Sequence, residues 1–173
     1  MGALDFFRSS LKSFHNDFKD AVKDLNDAQL HFQPLGKGNT IAFILWHTVR
    51  TEDLVLNFLL QKKAQVWNAE GWDKKFGMDP RAQGTGMTAE QAAAIRIPKL
   101  QDFFQYVDNV FQASEAYLEN VKEADLEPVH EYQFLGKQSG YQVVGGVVLG
   151  HGSEHLGEIR YVKGLQGLKG NPI

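Results

Sequence analysis

Four stretches of this chain repeat their apolar residues every three or four positions, and that periodicity constrains the fold more than any other feature. In the first, Phe7, Leu11, Phe14, Phe18, Val22 and Leu25 lie on one stripe between about residues 4 and 25. The second carries Phe43, Ile44, His47, Thr51, Leu54 and Phe58, opens at Asn39 or Thr40 as N-cap and closes near Lys62 and Lys63. A third, Leu100, Phe103, Val107, Val110, Ser114, Tyr117 and Val121, follows Pro98, which is expected to break the preceding helix at Arg96–Ile97 or to sit in the first turn of a new one. The fourth runs Val144, Val147, Val148, His151, His155, Glu158, Ile159 and Val162, and Gly164, Gly167 and Gly170 end it. A helix with one apolar stripe must bury it against others, so four such helices predict an all-α four-helix bundle. The connections are long enough for parallel neighbours, and the sequence leaves the up/down order open.

The connections have their own signals. Thr88 with Gln91, and Ser139 with Gln142, have the spacing of capping boxes. Residues 64–87 are irregular and glycine-punctuated, yet Trp67, Trp72 and Phe76 give that segment enough apolar surface to pack down. Residues 130–134 read as a short extended piece within the connection that spans about 123–138. The 173 residues suit one domain, 1–173.

Composition removes several function classes. A net charge of -3 with no basic block argues against nucleic acid or an anionic membrane as partner. With no cysteine, the chain can build no disulfide, thiolate metal site, Fe–S cluster or cysteine nucleophile. The first eighteen residues alternate charge with Phe and Leu and form an amphipathic helix, not a signal peptide, and no apolar run reaches membrane-spanning length. A cytoplasmic location is the expectation.

Three of six histidines occupy stripe positions. His151 and His155, four apart, present both imidazoles on one helix face, the spacing by which a helix chelates one ion. His47 on the second stripe can bring a third nitrogen. A buried neutral imidazole without partners costs about 1–3 kcal/mol. Three of them on facing stripes are therefore satisfied by a metal, by a water-bridged polar cluster, or each separately. Glu158 shares the face of the pair and is a candidate ligand, general base or acceptor for an imidazole N–H, as well as a surface ion-pair partner. Arg50 can hold an anionic substrate, pair with Glu158 or Glu154, or serve a structural ion pair. Trp46 faces core or interface; with Phe134, Gly145 and Gly146 it is where a homodimer contact is expected. His15 is expected at the edge of the cavity and not as a ligand, and His31 and His130 at the surface. Glu52 and Asp53 point away from His47 toward capping or inter-helix contacts.

Residues 39–53 (NTIAFILWHTVRTED) and 150–160 (GHGSEHLGEIR) resemble the second-helix and final-helix motifs of the DinB-like superfamily, and the segments 72–78 and 84–88 are similar to members of it. The likeness spans nearly the whole chain. It implies a four-helix bundle with a divalent ion, zinc or nickel, held by His47, His151 and His155, and a homodimer. It also implies a metalloenzyme for a small-molecule substrate, since some relatives are transferases or isomerases that use a low-molecular-weight thiol. A metal-dependent hydrolase and a non-catalytic, stress-related binding bundle are the alternatives. Neither a phosphate-cradling Gly-rich loop nor a Ser-centred triad signature is present to support another chemistry.

Overall fold

Side-chain caps fix where the helices after Thr40, Thr88 and Ser139 start. In the computed structural model, which describes residues 2–170, Thr40 Oγ1 accepts the Phe43 N–H at 3.1 Å, and the Thr88/Gln91 and Ser139/Gln142 boxes both close. In chain order, α1 (Ala3–Val22) and the short α2 (Asp27–Leu30) lead through a turn of 3-10 helix (Pro34–Gly36) to α3 (Ile41–Glu52). α3 widens into a π-helix over Asp53–Leu60. Three short helices, α4 (Val66–Ala69), α5 (Trp72–Phe76) and α6 (Ala89–Ala93), precede α7 (Leu100–Asn120). After α8 (Glu123–Leu126) and a hairpin of β1 (Val129–Tyr132) and β2 (Gly136–Ser139), a turn, α9 (Gly140–Gln142), opens the last helix. That helix continues as a π-helix over Val143–Gly150 and becomes α10 (His151–Leu165).

The four long elements form the expected all-α bundle. α1 and α3 each pack against α7 and α10. Cross-helix contacts set the directions. Phe7 meets Gly145, Phe14 meets Gly152, and Lys163 donates to the Ala21 carbonyl, so α1 runs parallel to the last helix. Arg8 reaches the Leu118 and Glu119 carbonyls, which makes α1 antiparallel to α7. The α3 helix pairs with Tyr106 through Asp53 and shares a groove with Tyr117 through Leu60, so it runs parallel to α7. The order is up-down-down-up, and the parallel step from α3 to α7 requires the long crossover of residues 61–99.

That crossover packs down as its aromatics imply. Trp67 is fully buried and meets Tyr106 edge-on, Trp72 and Phe76 stack, and Phe76 reaches Phe103. Pro98 lies in neither helix: α6 already stops at Ala93, and α7 starts at Leu100. Of the extended piece expected at 130–134, residues 130–132 lie in a hairpin strand that begins at 129, and 133–134 lie in the turn; the second strand, 136–139, has no alternating pattern to mark it in the sequence. Trp46 is 0% exposed and belongs to the core, which removes it from any interface, whereas Phe134 is 71% exposed at the hairpin turn. His31 also departs from expectation. Its side chain is nearly buried, with Nε2 accepting the Ile97 N–H at 3.2 Å and Nδ1 against the Asp27 carbonyl. His130 is exposed as expected.

Candidate metal centre

α3 and α10 pack antiparallel, with His47 in the middle of one and His151 and His155 at the start of the other. The three Nε2 atoms converge: His151 Nε2 lies 3.2 Å from His47 Nε2 and 3.0 Å from His155 Nε2. The opposite nitrogens decide what these contacts are. His47 Nδ1 faces the Gln83 carbonyl, which can only accept, so Nδ1 carries the proton. His155 Nδ1 faces Glu158 Oε2 at 2.6 Å, and a carboxylate likewise leaves the proton on Nδ1. Both rings therefore turn bare Nε2 lone pairs toward His151, whose Nε2 has at most one proton to give. At least one contact sets lone pair against lone pair.

A cation between the three rings would resolve that conflict. Nitrogens about 2.0–2.1 Å from one ion are separated by about 2.9–3.4 Å for octahedral to tetrahedral angles. The observed separations fall in that range, and the three side chains form a group able to hold a metal ion. The second partners of His47 and His155 fix their tautomers, as carbonyl and carboxylate acceptors do around metal-bound imidazoles.

Electrostatics favours neutral rings at His151 and His47. Burial, then the neighbouring His155 and His47, push His151 down to about 4. Burial also lowers His47, against the opposing pull of the Gln83 carbonyl. His47 is buried while His151 and His155 are half-buried, so the cluster meets solvent on the α10 side. Phe43 stacks on His47 with ring centroids 5.6 Å apart. Beside both rings the covering segment comes so close that a Cβ on Gly84 (φ +100°) would lie 2.6 Å from His47 Nδ1. Only glycine suits that backbone and that approach.

Of the remaining candidates, Glu158 joins the cluster and Arg50 does not. The Arg50 guanidinium donates to the Ala82 carbonyl at 3.1 Å and to Gln65 Oε1 at 2.7 Å, and lies 3.6 Å from Asp53 Oδ2. It makes the structural ion pair, with Asp53 in the place considered for Glu158 or Glu154. Asp53 caps the Val66 and Trp67 N–H groups. Glu52 pairs with His15, which does not overlook the cavity: it is walled in between Glu52 at 3.0 Å and Glu115 at 2.7 Å, stacked on Phe111. The sequence reading missed the Gln83 carbonyl and Gly84. A backbone acceptor has no residue signature, and the glycine in the 84–88 segment was the one available sign.

Comparison with known proteins places the fold and the family. A family model described as the DinB superfamily matches residues 10–159. The chain belongs to the DinB superfamily. A solved structure described as a conserved protein of locus from Enterococcus faecalis is similar in fold, with a TM-score of 0.78 at 20% identity over 95% of this chain and 99% of that one. No curated protein matches the chain. Among the described residues of this DinB-superfamily chain, no helix is long and apolar enough to cross a membrane.

Proposed function

We propose that this DinB-superfamily chain is a metal-dependent enzyme that joins a low-molecular-weight thiol to an electrophilic small molecule, with one divalent ion, zinc or nickel, on His47, His151 and His155. The observation that carries the metal is the convergence of three Nε2 atoms, two of them stripped of protons by partners on the far side of their rings. A divalent ion on three neutral imidazoles keeps its positive charge and supplies a Lewis acid that lowers the pKa of a thiol or water beside it. The chain has no cysteine, so the thiol comes from a cosubstrate.

The residues of the chain divide the work. Phe43 and the 83–84 backbone close one side of the site and hold His47, and the half-buried α10 side admits small molecules. Glu158, with its side chain 48% exposed at that opening, orients His155. In this reading it also receives the proton that the thiol gives up before sulfur attacks the electrophile and a leaving group departs. Arg50 is engaged with the covering segment and takes no part in substrate binding here.

Cobalt-substituted protein tests the proposal. Small thiols at millimolar levels are expected to add an intense sulfur-to-cobalt charge-transfer band, and His47→Ala, His151→Ala and His155→Ala to abolish cobalt uptake while His130→Ala keeps it. Cobalt bound without any thiol response refutes the thiol reading and turns the site toward hydrolysis or plain binding. Equal cobalt loss from His130→Ala and the three ligand variants refutes the ligand set.

A further inference from the structure

His47 and Arg50 on α3 and Asp53, the first residue of its π-helical continuation, are three residues apart, so their side chains leave the helix on one slowly turning face. All three meet the same covering segment, residues 65–84. Asp53 holds its start: Oδ1 accepts the Val66 N–H at 2.9 Å and Oδ2 the Trp67 N–H at 2.9 Å, with Asn57 and the Tyr106 hydroxyl completing the carboxylate. Arg50, 1% exposed, ties start to finish. One nitrogen donates to Gln65, Nε donates to the Ala82 carbonyl, and the guanidinium lies 4.9 Å from the Trp67 ring centre. The Ala82 carbonyl belongs to the rigid peptide plane that extends to the Gln83 Cα. The next carbonyl along, that of Gln83, receives the His47 Nδ1–H, and Gly84 then presses on the ring.

We propose that Arg50 and Asp53 are positioning residues for the metal centre. By fastening both ends of residues 65–84 to α3 they hold the Gln83 carbonyl where it fixes the tautomer and aim of His47. The inference rests on the metal-centre reading above. A buried ion pair adds little stability compared with apolar side chains of the same volume, whereas a planar guanidinium fork dictates direction. That asymmetry suits a part that aims a carbonyl more than one that merely fills the core.

The test compares cobalt affinity and ring N–H resonances in wild type, Arg50→Lys and Asp53→Asn, each scored on protein with wild-type helical circular dichroism. Arg50→Lys keeps the charge and loses the fork. Loss of an outer partner of a metal-bound histidine weakens binding by about 10–100-fold. The same range is expected here, together with loss to solvent exchange of one of the paramagnetically shifted ring N–H signals. Should Arg50→Lys or Asp53→Asn fail to fold, Gln65→Leu removes one arm of the fork at a half-buried position and has the same expected direction. A folded variant that binds cobalt within about twofold of wild type and keeps every shifted N–H signal overturns the proposal. Wild-type protein that takes up no cobalt overturns the metal-centre reading itself.

Discussion

Gly84→Ala perturbs the three-histidine cluster without replacing any of its histidines. Its Cβ would stand 2.6 Å from His47 Nδ1, 3.0 Å from Cγ and 3.2 Å from Phe43 Cε2, about 0.8 Å inside ordinary contact at the closest point. The ring cannot simply turn aside, because Phe43 is stacked against it. The segment must retreat instead, and the adjacent Gln83 carbonyl goes with it. Two costs follow. A side chain at φ +100° strains the backbone by about 1–3 kcal/mol whether or not metal is bound. Loosening the acceptor of a ligand imidazole lowers metal affinity by about 10–100-fold, or about 1.4–2.7 kcal/mol of metal-dependent stability. For a domain of this size a kcal/mol is worth about 2–4 °C, so the melting-temperature gap between metal-loaded and chelator-treated protein should narrow by about 3–11 °C. Scanning calorimetry with excess zinc and with chelator separates the two costs: the first lowers both melts, the second only their difference. An unchanged gap would show that the covering segment does not hold His47 for the metal, and the reasoning would fall.

Two further outcomes are expected. Burial works to lower the pKa of His15, but Glu52 and Glu115 outweigh it and raise the group above 6.5. A raised histidine contributes stability that is fully present below its unfolded pKa and is lost as pH rises through its folded pKa. Chelator-treated wild type should therefore lose stability relative to His15→Gln as pH rises above about 6.5 in denaturant titrations, and parallel curves would refute the charged pairing. Gly152→Ala would place a Cβ 2.6 Å from Phe14 Cζ, and the overpacking should cost about 1–3 kcal/mol. Phe14→Leu in the same chain should recover part of that loss in chemical unfolding, and no recovery would place the strain elsewhere.

The helical stripes, the caps at Thr40, Thr88 and Ser139, and the placing of His47, His151 and His155 on core-facing positions were all readable from residue order. Each depends on neighbours within one or two turns: a 3.6-residue period, a hydroxyl three residues before an N–H, an i, i+4 pair. Local information also indicated that residues 64–87 pack down, because Trp67, Trp72 and Phe76 cannot stay solvated at no cost. It could not indicate what they pack on. The up-down-down-up order, the second strand at Gly136–Ser139 and the burial of His31 under the Ile97 N–H depend on contacts between distant parts of the chain. So does the division of roles on α3. Arg50 and His47 are three residues apart on one slowly turning face and both meet the covering segment, and periodicity cannot say which of them also joins the histidine cluster. Only the arrival of Ala82 and Gln83 from across the fold decides it, because a backbone carbonyl has the same chemistry in every residue and acquires its role from where the chain delivers it.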